Sequence, residues 1–135
     1  MTTVYNDDIL FFDGINVLDL ALSNQTPFYL YSEKIITNNF LAYQKSFKDN
    51  PHLICYSVKA NSNLSILSLL AELGSGFDIV SGGELSRVIQ AGGDPRKTVF
   101  SGVGKTEEEI RFALSKNIMC FNIESRDELR TINAI

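Results

Sequence analysis

Four short runs rich in β-branched and aromatic residues recur along this chain, at Leu53–Val58, Phe77–Val80, Thr98–Ser101 and Met119–Ile123. Their starts lie 21 to 24 residues apart, and the stretches between them carry apolar residues at helical spacing. That is compact for one strand plus one helix, but feasible. Parallel neighbours in a sheet need a crossover, so strands that alternate with helices predict a parallel α/β sheet.

The helical stretches have readable ends. Ser32 is placed to cap a helix with the stripe Ile36, Phe40, Tyr43 and Phe47. That helix should stop before Asn50-Pro51, because a residue ahead of proline is pushed out of the helical region. Leu64, Leu67, Leu70 and Leu73 mark a second helix ended by Gly74, and Leu85, Val88 and Ile89 a third closed by Gly92-Gly93. Thr106 with Glu109, and Ser125 with Glu128, read as capping boxes ahead of two more. Residues before Ser32 fall outside the repeat: Ile9–Phe12, a turn at Gly14, Val17–Leu22, then Phe28–Tyr31 after Pro27.

Composition removes several classes. No run of eighteen apolar residues exists, so no membrane-spanning helix is expected. The first residues are acidic where a secretory signal is basic and then apolar. A net charge of −4 argues against a nucleic-acid surface or an anionic membrane. Cys55 and Cys120 stand alone, with no CxxC; two buried thiols in a reducing cytoplasm is the simplest reading, with no metal site. The chain reaches Ile135 inside a helical pattern. Four βα units can form a small open sheet or part of a larger one. A (β/α)8 barrel takes roughly 250 residues, so length alone favours the open sheet.

Three stretches could carry chemistry. In Tyr56-Ser57-Val58-Lys59-Ala60-Asn61, Lys59 falls at the C-terminal end of the first parallel strand, where such folds place their sites. Strand parity puts Cys55, Ser57 and Lys59 on one face. Desolvation there would favour the neutral amine that Schiff-base formation requires. Spacing alone favours the plainer reading, a lysine turning to solvent as the strand ends. The second stretch, Gly74–Leu85, has glycines on both sides of a short strand, Asp78 inside it and Glu84 opening the next helix. It is not a dinucleotide fingerprint, because Ile79 stands where the third glycine belongs. Gly82-Gly83 could cradle an anion on backbone N–H groups, and a tight strand-to-helix turn explains them equally well. The third, Gly102-Val103-Gly104-Lys105-Thr106, imitates the tail of a phosphate-binding loop, but Val99 replaces the required first glycine. Lys105 then reads as a surface residue and Thr106 as a helix cap. His52, the only histidine, is seven residues from Lys59. At strand rise that is roughly 23 Å, too far to assist there.

Taken in order, these pieces resemble the pyridoxal-phosphate decarboxylases of the alanine-racemase-like fold, above all the diaminopimelate branch. The family's tyrosine-x-valine-lysine-alanine-asparagine strand is matched by Tyr56–Asn61. Its glycine-x-glycine-phenylalanine-aspartate strand with serine-glycine-glycine-glutamate-leucine is matched by Gly74–Leu85. Val99–Lys105, Phe121–Ser125 and the entry Thr26–Tyr31 are also similar to it.

The resemblance implies a partial (β/α)8 TIM barrel of the alanine-racemase type, with about four βα units. Residues 1–32 would form an entry segment at the edge of the family's β-domain, and 33–135 the first half of the cofactor barrel. It implies pyridoxal 5′-phosphate as cofactor, held by Lys59 as a Schiff base, with Asp78 beside that lysine and Glu84 on the same rim. The implied reaction is meso-diaminopimelate to L-lysine and carbon dioxide, on a small-molecule amino-acid substrate, in an enzyme that dimerises. The ring-stacking imidazole, the phosphate-gripping glycine loop and the acid at the ring nitrogen would all lie beyond the fourth strand. The chain is thus expected to be the N-terminal part of such an enzyme, with little turnover alone and exposed sheet edges. Rival readings are an arginine, ornithine or carboxynorspermidine decarboxylase, a racemase, a receiver-like signalling module, or a non-catalytic cofactor carrier.

Overall fold

Each of two unequal parts of the chain builds its own sheet. The computed structural model describes residues 3–135 and divides the chain into two units, Met1–Leu41 and Ala42–Ile135. In the first, β1 (Thr3–Asn6), β2 (Ile9–Phe12) and β3 (Ile15–Asn16) form an antiparallel meander. The pairs Asn6↔Ile9 and Phe12↔Ile15 leave two-residue loops, Asp7-Asp8 and Asp13-Gly14. All four loop residues have positive φ, between 47° and 83°. This is the backbone of a type I′ turn, whose twist suits paired strands; aspartate and glycine tolerate it. Helix α1 (Val17–Ser23) follows, its first turn capped by the Asn16 side chain, which accepts from Leu18 N–H at 2.9 Å.

Helix α2 (Glu33–Ser46) runs across the division between the units. It starts as expected at Ser32, whose Oγ accepts from Ile35 N–H at 3.2 Å while donating to Asp13 Oδ2 at 2.7 Å. Of the anticipated stripe, Phe40 is buried, whereas Tyr43 and Phe47 are exposed. Phe47 lies past the helix end, its ring 5.6 Å from that of His52.

The second unit holds four parallel strands: β4 (Cys55–Ser57), β5 (Gly76–Ile79), β6 (Thr98–Phe100) and β7 (Cys120–Phe121). They lie in the order β4-β5-β6-β7, so every strand neighbours its sequence successor. Helices α3 (Leu64–Glu72), α4 (Gly82–Gln90) and α5 (Glu107–Ser115) connect them, and α6 (Arg126–Ala134) follows β7. Right-handed crossovers taken in one direction place all helices on one side of the sheet. A doubly wound sheet reverses its strand order and has helices on both sides. The observed order is therefore that of a barrel wall, and the open-sheet reading favoured by length gives way.

Burial shows the same sidedness. Phe77, Ile79, Thr98 and Phe100 are sealed on the helix side with Leu67, Leu85, Val88, Ile110 and Ala113. The alternate positions Asp78 and Val99 are only half-buried. Cys120 pairs in register with Val99 on that opposite side and is exposed, while Cys55 is half-buried, so the expectation of two buried thiols is corrected. Gly76 is required by crowding: a Cβ there would stand 2.5 Å from the Lys97 carbonyl oxygen and 2.7 Å from Cys55 Sγ. No helix among the described residues is long and apolar enough to cross a membrane.

Candidate functional site

At the C-terminal ends of the strands, side chains from all four meet in one hydrogen-bonded row. Ser57 at the end of β4 donates to Asp78 Oδ2 at 3.1 Å. Ser101, just past β6, donates to Asp78 Oδ1 at 2.5 Å. Asn122, just past β7, donates from Nδ2 to Ser101 Oγ at 2.9 Å. Both oxygens of Asp78 are therefore occupied by hydroxyl donors from the strands on either side. Among these residues only Asp78 was singled out from the sequence as an acid with a role. A usable signal existed: positions 57, 78, 101 and 122 recur with nearly the strand period.

Lys59 lies two residues past the Ser57↔Asp78 register pair. It does not lie within the strand. β4 ends at Ser57, and Val58–Ala60 form one turn of 3-10 helix with Val58 buried and Lys59 exposed. Lys59 turns to solvent as the strand ends, the plainer of the two readings of the sequence, and the burial that would desolvate its amine is absent. Its main chain is well secured. The Tyr56 hydroxyl donates to Asn61 O at 3.2 Å and Arg87 Nε donates to Ser62 O at 3.0 Å. Asn61 Oδ1 accepts from Asn63 N–H, and Asn63 caps α3 by accepting from Ser65 N–H. No described residue makes a hydrogen bond or ion pair to the Lys59 amine.

Glu84 is half-buried in the first turn of α4, and its Oε2 accepts from Val80 N–H at 2.7 Å. Ser81 Oγ in turn accepts from Glu84 N–H at 3.2 Å. The N–H of Gly82 is taken by a carboxylate of the protein itself, Glu109 Oε1 at 2.8 Å. One of the two N–H groups that Gly82-Gly83 offered to an anion is therefore already taken. Glu109 Oε2 completes the predicted capping box with Thr106. The Gly82 and Thr106 N–H groups hold the Glu109 carboxyl below the usual carboxylate range.

The reading of Lys105 as a surface residue is overturned. Its side chain is 1% exposed and its ammonium donates to Gly102 O at 2.6 Å, Asn122 O at 2.9 Å and Glu128 Oε1 at 2.7 Å. Glu128 Oε2 accepts from Glu124 N–H, one residue further back than a capping box requires. The Glu124 N–H, then Lys105, lower the Glu128 carboxyl. A pattern joins these contacts. The loop after β4 is fastened to α4 through Arg87, the start of α4 to α5 through Glu109, and the loop after β6 to α6 through Glu128.

Burial, then the Asp78 carboxylate and Cys120, push the Cys55 thiol up, which makes it a weak nucleophile. His52 is occupied elsewhere, with Nδ1 2.8 Å from Asn50 O and Nε2 2.8 Å from Gln44 Oε1. Among the described residues, no His, Cys, Asp and Glu group could hold a metal ion. What remains at the strand ends is one exposed primary amine, on the turn that follows β4, and a half-buried carboxylate on the neighbouring strand fixed by hydroxyls. An aldehyde could reach that amine from solvent.

Residues 33–135 match the family described as pyridoxal-dependent decarboxylase, pyridoxal binding domain. The diaminopimelate decarboxylase of Vibrio cholerae is 55% identical over 129 residues, covering 96% of this chain and 31% of that protein. The structure of diaminopimelate decarboxylase from M. jannaschii in complex with L-lysine superposes with TM-score 0.94 at 40% identity, over 98% of this chain and 32% of the other. That of the Helicobacter pylori enzyme, also complexed with L-lysine, gives TM-score 0.85 at 53% identity, over 88% and 30%. The chain thus spans about a third of the length of the relatives it matches.

Proposed function

The chain belongs to the pyridoxal-dependent decarboxylase family, and on that premise we propose that it forms part of an amino-acid decarboxylase acting on meso-diaminopimelate. The product would be L-lysine. The similarity to diaminopimelate decarboxylases across nearly the whole chain carries this choice of substrate. Residues 33–135 are assigned to the cofactor-bearing barrel and 1–32 to an entry segment. Lys59 is the residue that holds pyridoxal 5′-phosphate, and its exposed amine at the end of β4 suits that task. When bound, the cofactor supplies a ring that accepts the electron pair left as carbon dioxide departs.

The protein's own contribution is position and charge. The turn at Val58–Ala60, secured through Tyr56, Asn61 and Arg87, holds the Lys59 main chain while its side chain is exposed. Asp78, on the neighbouring strand and in register two residues before Lys59, is assigned to the same cofactor site. Glu84 belongs to the same rim, with one carboxylate oxygen committed to Val80 N–H and the β5–α4 turn thereby fixed. A second copy of the protein, as a dimer, and a cytoplasmic location complete the proposal.

Incubating the chain with pyridoxal 5′-phosphate, reducing with borohydride and mapping the peptides tests the assignment. The adduct should appear on Lys59 at cofactor concentrations that leave Lys34 and Lys48 unmodified. Equal modification of all three would overturn it.

A further inference from the structure

We infer that Ser101 and Asn122 are positioning residues that fix the attitude of the Asp78 carboxylate, which pairs in register two residues before Lys59. The inference rests on the assignment of Lys59 as the cofactor lysine.

A serine hydroxyl can both donate and accept, so an isolated Ser101 could turn its proton in several directions. Here its choice is removed. Asn122 Nδ2 carries only donors, so Ser101 Oγ must accept from it and send its own proton to Asp78 Oδ1. Flipping the Asn122 amide would place two acceptors, Asn122 Oδ1 and Asp78 Oδ1, in competition for one proton, so the network itself selects this orientation. Asn122 is in turn held by its main chain. Its N–H donates to Phe100 O at 2.9 Å and its carbonyl accepts from Lys105 Nζ at 2.9 Å. The buried Lys105 is thereby linked, through one residue, to the row that ends on Asp78. Ser57 fills the other oxygen of the carboxylate. With both oxygens engaged, Asp78 cannot rotate about its terminal bond without losing a hydrogen bond to a charged group, among the stronger kinds.

The exposure of Asn122 argues that its amide serves direction more than stability. A solvent-exposed hydrogen bond adds little to folding, because water replaces it. The position should therefore tolerate truncation in an unfolding experiment and still register at Lys59.

The test titrates the chain with pyridoxal 5′-phosphate itself, traps with borohydride and quantifies adducts by mass spectrometry, with Lys34 and Lys48 as internal standards. In Ser101→Ala and Asn122→Ala, the cofactor concentration that half-modifies Lys59 should rise about fivefold, on the order expected for one lost hydrogen bond. The two standards should not change. Ser101→Thr keeps the hydroxyl and should return Lys59 to its original titration, which a purely steric role would not predict. The urea midpoint of Asn122→Ala should stay at that of the unaltered chain. Identical Lys59 titrations in Ser101→Ala, Asn122→Ala and the unaltered chain would overturn the inference and leave the Lys59 assignment standing. If Lys59 in the unaltered chain titrates no better than the standards, the assignment falls and this inference falls with it.

Discussion

Replacing Lys105 by methionine should be among the most damaging single changes in the second unit. The side chain is 1% exposed and all three ammonium protons are used, on Gly102 O, Asn122 O and Glu128 Oε1 at 2.6 to 2.9 Å. Methionine preserves much of the stem and its packing, and leaves three acceptors without their shared donor. Removing one partner of a buried ion pair typically costs about 3–5 kcal/mol, mostly through the charge left behind. Glu128 retains 12% exposure and its bond to Glu124 N–H, so its carboxylate is partly compensated. The expected loss is therefore near the lower end, about 3 kcal/mol. Against a total of roughly 5–15 kcal/mol for a domain, that is a large fraction. The measurement is urea unfolding of the chain followed by circular dichroism, with Lys105→Met, Glu128→Gln and the double variant compared as a cycle. Glu128→Gln should cost much less in the Lys105→Met background than alone, because the stranded charge is the main penalty. A Lys105→Met midpoint within error of the unaltered chain would refute the argument from burial and saturation.

Two further outcomes follow from the geometry. Glu109 is held below the usual carboxylate range, so it binds a proton more readily when unfolded; its stabilisation is full above the ordinary carboxylate pKa and is lost as pH falls through the lower folded-state value. Glu109→Gln should flatten the acid limb of urea midpoint against pH, and an unchanged limb would contradict the Gly82 and Thr106 contacts. Gly76→Ala would force a methyl group against the Lys97 carbonyl and Cys55 Sγ, and should cost about 1–3 kcal/mol in thermal or urea unfolding. Tolerance without loss would show that β5 and β6 can move apart there.

Local features were read well from the residues, and long-range ones less so. The strand and helix alternation, the Ser32 cap and the Thr106–Glu109 box depend on neighbours a few residues away, and the structure has each of them. Lys59 was placed at the end of the first parallel strand, but the 3-10 turn that exposes it was invisible to strand parity. The surface reading of Lys105 fails because its partner Glu128 is 23 residues distant, and no local pattern reports that meeting. The same reason hid the Glu109 carboxylate over Gly82, 27 residues apart. Hydrophobic spacing likewise says nothing of Ser101 and Asn122, whose importance arises only when adjacent strands bring Ser101 onto Asp78 and Asn122 onto Ser101.

The fastening of each rim segment to a neighbouring helix has a mechanical consequence. A flap that opens by itself needs a free perimeter and a hinge. Here, lifting the start of α4 would pull on Glu109, and lifting the loop after β6 would drag Glu128 with it. Thermal excursions of the rim should therefore be shared among neighbours and small in amplitude. Reactants would meet a stiff collar there, and any large opening would have to come from parts of the protein outside it.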